Sequence, residues 1–343
     1  MTKRNNLSVR HHRAGRFFIA VLLIAACSCQ QNIKPIQLYG EAQGTYYSVQ
    51  YYDALQRDLQ PQVDSLLHAF DLSASLWVEQ SLLRQLNANL TDSLDPVLDS
   101  LLRYSLYIYE YTGGAFDCRV GRLVQAWGFS FRQRQEPDPR TLDTMLFAAH
   151  GDIAICQGRL LKQNSSTELD FNAIAQGYAV DLLAAMLDSL DIHDYLIDVG
   201  GEVIGRGAKP DGTPWRVGIE RPSVDSVSAP EVQTAIALHN ASVVTSGSYR
   251  KYYERDGVRY SHTINPVTGR PVEHTLLSAS VVESSAWLAD AMATAYMVMG
   301  LDSARAFIAA HPDGPGTDAV MFIYDDHGAL CTYTTPAFDK LIQ

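Results

Sequence analysis

Helical and strand-like periodicities interleave along this chain without a strict strand–helix–strand beat. That irregular order restricts the architecture more than any other feature of the sequence. Gly44 to Tyr52 alternates and is rich in Tyr and Val, which predicts an opening strand. Leu55 to Phe70 and Pro96 to Tyr111 carry apolar residues at helical spacing, and Gly113-Gly114 stops the second of them. Asp152 to Leu161 and Glu168 to Phe171 read as short strands, Ile174 to Leu190 as a helix, and Tyr195 to Val199 as a strand. Trp215 to Glu220, Thr234 to Leu238 and Ser278 to Glu283 alternate like strands, while Ser285 to Gly300 is a helix rich in small residues. Two last strands fall at Ala319 to Tyr324 and Leu330 to Tyr333, and Pro222 to Glu231 has a surface-loop composition. The fold class expected is α+β: one mixed α/β domain with antiparallel or mixed sheets, not a doubly wound parallel sheet.

The first residues stand apart. Lys3, Arg4, Arg10, Arg13 and Arg16 form a basic segment without an acidic residue, followed by the apolar run Phe17 to Ala26. That run is shorter than the roughly 20 residues a permanent membrane helix needs. Ile24-Ala25-Ala26-Cys27 then fits a lipobox, a branched apolar residue and two small ones ahead of the cysteine that receives the lipid. The expected organisation is a signal peptide over 1–26, a lipid anchor and tether over 27–37 starting at Cys27, and an enzyme domain over 38–340. The alternative is an ordinary secretory peptide cut nearby, with Cys27 and Cys29 incidental; Cys29 would put Ala26 where the branched residue belongs.

The net charge of −11 argues against a nucleic-acid surface and against a polybasic membrane patch. An anionic ligand would therefore need local help from dipoles, a few cations or a metal. Cys118, Cys156 and Cys331 are widely spaced and odd in number, neither a zinc pattern nor a disulfide framework.

Four clusters could carry chemistry: TGGAFDCRVG (112–121) followed by Trp127-Gly128-Phe129, LDFNAIAQGYAVD (169–181), DVGGEVIGRG (198–207), and the stretch from TSGSYRKYY through SHTINPVTGRP to LADAMATA (245–295). Each also has a plainer reading. Glycine pairs usually mark turns, a lone His262 near a strand end is commonly structural, and Asp290 and Thr294 four apart share a helix face by simple periodicity. Yet Asp and Thr at that spacing can offer two oxygens to a hard cation. Glycine-rich turns and helix N-termini can hold phosphate oxygens. Together they point to a phosphate ester bound with Mg²⁺.

In this order, the clusters resemble the ApbE family of FAD:protein FMN transferases, many of which are lipoproteins; the resemblance runs from about Gly40 to Gly300. It implies an enzyme that binds FAD, splits its pyrophosphate, releases AMP and joins FMN through a phosphoester to a threonine of a target protein. It further implies FAD contacts at Gln43, Trp77, Ala115, Phe116, Asp117, Asp170, Gln176 and Ile264. The implied Mg²⁺ ligands are the Ala173 carbonyl with Asp290 and Thr294, and His262 corresponds to the base that takes the acceptor proton. The implied partners are FAD, an exported acceptor protein such as a membrane redox-complex subunit, and a membrane through the lipid anchor at the periplasmic side of the envelope. Gln43 stands where the family often has Met, Gln176 where Lys or Glu is common, Asn265 where Asp is frequent, and Ala293 where some members place a further carboxylate. Two other activities fit the same residues: an FAD pyrophosphatase in which water replaces the threonine, and a non-catalytic FAD-binding lipoprotein.

Overall fold

The computed structural model describes residues 33–129, 137–222, 231–248, 252–255 and 258–343. The leader, Cys27 and loop residues 223–230 lie outside the described residues. The chain enters β1 (Pro35–Ala42) and β2 (Thr45–Tyr52), then α1 (Gln60–Ala74), α2 (Leu82–Asn87), α3 (Pro96–Tyr111), α4 (Gly121–Ala126) and α5 (Pro139–Ala149). The short hairpin β3 (Ile153–Cys156) and β4 (Arg159–Lys162) leads to α6 (Ala175–Ser189), β5 (Tyr195–Val199) and β6 (Glu202–Arg206). Next come β7 (Trp215–Glu220), β8 (Val232–Leu238), β9 (Ala241–Gly247), β10 (Tyr252–Arg255), β11 (Val258–Ser261) and β12 (Leu276–Glu283). The chain ends with α7 (Ala286–Met299), α8 (Leu301–Ala310), β13 (Ala319–Asp326), β14 (Ala329–Thr334) and α9 (Pro336–Asp339).

Eight strands form one sheet in the order β1-β2-β5-β6-β9-β12-β13-β14, and every neighbouring pair is antiparallel. Period-two alternation distributes its side chains between two cores. Ile204, Val244, Val320 and Phe322 join the helices in the larger core, whereas Val203, Val243, Met321 and Ile323 pack with Trp215, Ile236, Leu238 and Phe338. Helices therefore cover one face, and the β7–β8 ribbon with α9 covers the other. Helix α7 is apolar nearly all round, the signature of a helix enclosed on every side; it packs on β9 and β12 and against α6.

Several boundaries differ from expectation for identifiable reasons. The folded unit spans Lys34 to Gln343, so residues 35–37, expected in the tether, are strand: Ile36 pairs with Tyr51. The C-terminal residues belong to the fold too, since the Gln343 amide donates to the Ala235 carbonyl at 3.0 Å. Helix α1 starts at Gln60 and not Leu55, because Asp53 holds residues 53–57 as a turn. Its carboxylate accepts from the Leu55 and Arg57 amides and the Arg57 guanidinium, and Pro61 opens the helix in its first turn. Glu168 to Phe171 is not a strand. It is extended but bonded piecemeal, by a single bridge to Val120, by Asn87 bracketing the Leu169 backbone, and by the Asp170 amide donating to Cys118 O. Cys118, Cys156 and Cys331 are all unbridged. No helix among the described residues is long and apolar enough to cross a membrane.

Candidate active site

The N-terminal turns of α6 and α7 meet at Gly177. A methyl group there would collide with the Ala286 carbonyl and lie 2.9 Å from Asp290 Cβ, so only glycine permits this approach. The contact is also polar. The Gly177 amide, in the first turn of α6 and without an intrahelical acceptor, donates to Asp290 Oδ2 at 3.1 Å. Burial pushes the Asp290 carboxyl up to about 7; the Gly177 hydrogen bond pulls it down and neighbouring Asp181 pushes it up. One turn further along α7, Thr294 is partly exposed where its helix neighbours are buried. Its Oγ1 lies 3.2 Å from Ser246 Oγ on β9.

This donor set suits a hard cation: a buried carboxyl that a cation would hold ionised and the Thr294–Ser246 hydroxyl pair, with Ala173 in the turn just before α6. Among the described residues no three His, Cys, Asp or Glu side chains gather as a metal cluster. A cation at Asp290 would therefore draw on hydroxyl and carbonyl oxygens.

A second group forms beside the α6 N-terminus. Gln176 Nε2 donates to the Val199 carbonyl at 2.7 Å, at the start of the Gly200-Gly201 turn. A side chain at Gly200, whose φ is +62°, would strike Gln176 Nε2 and Thr45. Thr45 follows the Gln43-Gly44 turn of the first hairpin, where both residues have positive φ, +53° and +73°. Gln43 is thus a non-glycine residue in a left-handed turn position, and its Nε2 is buried without a hydrogen-bond partner. The neighbouring Asp71 carboxyl of α1 is raised, first by burial and against a hydrogen bond from the Gln43 backbone N–H.

The segment 115–119 runs beside 168–170 and so reaches the same region. The Phe116 ring lies in the larger core, and Asp117 is paired through both oxygens with Arg119, each at 2.8 Å. Tyr109 supports that guanidinium, its ring centroid 4.3 Å from Arg119 Cζ. Asp170 is buried, which raises its carboxyl against a hydrogen bond from the Asn172 amide.

His262 begins a loop that a separate small core holds. Ile264 packs with Leu123, Trp127, Leu142 and Ala149. Trp127 Nε1 donates to Gly269 O at 2.7 Å, and the Phe129 ring meets the His262 ring edge-on at 6.5 Å. The Trp127-Gly128-Phe129 motif is thereby explained as a clamp on the histidine loop. Trp77, by contrast, stands in the loop after α1 with 59% of its surface exposed. Sequence reasoning missed Ser246, Gly177 and Asp181. All three sit inside quoted motifs, but Ser246 meets Thr294 only 48 residues on, and the α7 partners of Gly177 and Asp181 are more than a hundred residues away.

Comparison with known proteins identifies the family and the fold. The model of the ApbE family matches residues 43–320. The FAD:protein FMN transferase of Vibrio cholerae is 34% identical over an alignment covering 95% of this chain and 98% of that protein. For the Escherichia coli K12 protein of the same description the figures are 33%, 95% and 97%. Two solved structures superpose well. They are the flavin transferase ApbE from Vibrio cholerae (TM-score 0.78, 30% identity, 90% of this chain and 99% of that one) and the apo flavinyl transferase ApbE of Pseudomonas stutzeri (TM-score 0.79, 32%, 90% and 97%).

Proposed function

The chain belongs to the ApbE family, and on that premise we propose that it is an FAD:protein FMN transferase that uses Mg²⁺, takes a threonine hydroxyl of a target protein as acceptor and releases AMP. The observation that carries this reading is the buried Asp290 carboxylate, held by the Gly177 amide and followed one turn later by the Thr294–Ser246 hydroxyl pair.

In this reading Asp290, Thr294 and the Ala173 carbonyl hold the cation. When bound, it offsets charge on the FAD pyrophosphate and on the departing AMP phosphate. His262 accepts the proton of the acceptor threonine, whose hydroxyl is a weak nucleophile at neutral pH. The threonine oxygen forms a bond to the FMN phosphorus, the bond from that phosphorus to the bridging oxygen breaks, and AMP leaves with that oxygen. Gln43, Trp77, Asp170, Gln176, Ile264 and the 115–117 segment bind the dinucleotide. Gln43 brings a buried amide group with an unpaired donor to that task. The Cys27 lipid anchor holds the enzyme at the periplasmic side of a membrane, where its acceptors are exported redox-complex subunits.

One incubation tests the reaction: purified protein, FAD, Mg²⁺ and a protein carrying an acceptor threonine. Covalent flavin on the acceptor with stoichiometric AMP is the expected result; FMN and AMP without it would make the protein a pyrophosphatase, and unchanged FAD a carrier. His262→Ala is expected to bind FAD without transferring FMN, and Asp290→Ala to lose transfer together with the response to Mg²⁺. Cys27→Ser should release the protein from membranes while the purified variant transfers FMN normally.

A further inference from the structure

Helix α7 begins without a cap of its own. Ser285 stands at its N-cap position, yet its side chain makes no capping hydrogen bond. The first two amides of the helix are taken instead by a carboxylate from α6. Ala286 N donates to Asp181 Oδ1 at 2.9 Å, and Trp287 N donates to Asp181 Oδ2 at 2.8 Å. Asp181 lies one turn beyond Gly177 on α6, so the two residues share a face. Gly177 in turn gives its own first-turn amide to Asp290 of α7. Each helix thus supplies the carboxylate that satisfies the other's N-terminal amides, and the two links lie one turn apart along the crossing.

A reciprocal pair of links fixes more than a single one would. The Gly177 contact alone would let α7 slide or rotate about Asp290; adding Asp181 at the end of the helix sets both its depth and its rotation. Asp290 and Thr294 lie one and two turns beyond the capped amides. We propose that Asp181 is a positioning residue that, through the first turn of α7, holds Asp290 and Thr294 in the arrangement that binds a divalent cation. This rests on the reading of Asp290 and Thr294 as cation ligands. Tyr104 of α3 also stacks on Trp287, with ring centroids 4.1 Å apart and planes within 7°. It packs on the same turn, its ring meets Tyr178 of α6 edge-on at 5.6 Å, and its hydroxyl feels the charge of Asp181.

The test compares Asp181→Ala, Asp181→Asn, Tyr104→Leu and Asp290→Asn by direct titration of Mn²⁺ onto the FAD-loaded protein, reading free Mn²⁺ by its electron paramagnetic resonance signal. FAD affinity in EDTA and thermal melting are measured in parallel. Groups that orient metal ligands typically cost about ten- to a hundredfold in affinity when removed. Asp181→Ala should fall in that range, with FAD affinity in EDTA unchanged. Asp181→Asn, which keeps one acceptor oxygen, should recover part of the loss and remains informative if the alanine variant fails to fold. Tyr104→Leu should lower the melting temperature and reduce Mn²⁺ affinity far less than Asp181→Ala does. Parental Mn²⁺ affinity in folded Asp181→Asn and Asp181→Ala, with affinity lost in Asp290→Asn, overturns the proposal while leaving the ligand reading intact. Parental affinity in Asp290→Asn overturns both.

Discussion

Trp127 donates its indole N–H to the carbonyl of Gly269 at 2.7 Å, tying the end of α4 to the loop that begins at His262. Gly269 has a φ of +66°, and a methyl group there would press on Leu123, Leu142 and Leu146 at 2.9 to 3.1 Å. The loop is therefore seated on the small α4–α5 core by both shape and a buried hydrogen bond. A base that must meet an incoming hydroxyl needs this kind of support, because small displacements at a reacting centre are costly.

Trp127→Phe isolates the hydrogen bond, since the ring still fills most of the small core. The Gly269 carbonyl would lose its buried donor, at a cost of about 1–3 kcal/mol. The expected outcome is a lower melting temperature and a reduced transfer rate, with FAD affinity close to the parent. Steady-state transfer assays and isothermal titration of FAD check it; a fall in FAD affinity as large as the fall in rate would show that the clamp serves binding instead.

The pH dependence of stability follows from the two linked carboxylates. Burial is the leading cause that holds Asp181 up to about 6 and Asp290 up to about 7 in the folded chain. Unfolded, both ionise near the ordinary value of about 4. Between those values the folded chain binds more protons than the unfolded one. The stabilising contribution is then complete below about pH 4 and is lost as the pH rises through the folded values. Asp53, lowered to about 2 foremost by its hydrogen bond with Arg57, has the opposite sign, and its contribution disappears only as the pH falls well below this window. The melting temperature in EDTA should therefore decline from pH 5 to pH 8, and Mg²⁺ should raise it more at pH 8 than at pH 5. Scanning fluorimetry across that range decides the matter, and a melting temperature that rises with pH in EDTA counts against it.

Local signals were readable wherever periodicity and end signals agreed. Helix α3 runs over Pro96–Tyr111 as its spacing predicts, with Asp95 capping and Pro96 at its start. Strand β5 and helix α7 lie where alternation and small-residue content put them. Strand β1 escaped notice although its burial alternates, Ile36, Leu38 and Ala42 facing the core and Gln37, Tyr39 and Glu41 exposed. Its inward row is short, Gly40 interrupts it, and the polar residues just before it have the composition of a tether. At the site, the four-residue spacing of Asp290 and Thr294 is a property of one helix and is visible in sequence. The links from Asp181 to Ala286 and from Trp127 to Gly269 join residues 105 and 142 positions apart. No local pattern encodes them; they exist only once the helices and the loop have packed.

Arg119 presents a case in which the charge itself is the issue. Arg119 and Asp117 expose only 6% and 3% of their side chains, and the guanidinium grips both carboxylate oxygens beneath Tyr109. Removing one member of a buried pair strands the other, at roughly 3–5 kcal/mol. Arg119→Met should lose stability on that scale in urea denaturation. Arg119→Lys should recover little of it, because an ammonium lacks the planar fork and its stacking face. Full stability in the lysine variant would mean that charge alone holds the segment.

Asn265 resolves the departure from the family pattern in the histidine loop. Its side-chain oxygen accepts from the amides of Val267 and Thr268 at 2.9 and 3.1 Å, and its carbonyl accepts from the Gly269 amide at 2.8 Å. The side chain is thus spent on closing its own turn, a task that an aspartate oxygen performs equally well. Asn265→Asp is accordingly expected to leave melting temperature and transfer rate near those of the parent, whereas Asn265→Ala opens the turn, costs about 1 kcal/mol and slows transfer through His262. Measuring both variants at several Mg²⁺ concentrations separates the turn from any metal role. If the aspartate variant shifted the Mg²⁺ dependence while the alanine variant kept the parental rate, the residue would act through charge at the cation and not through the turn.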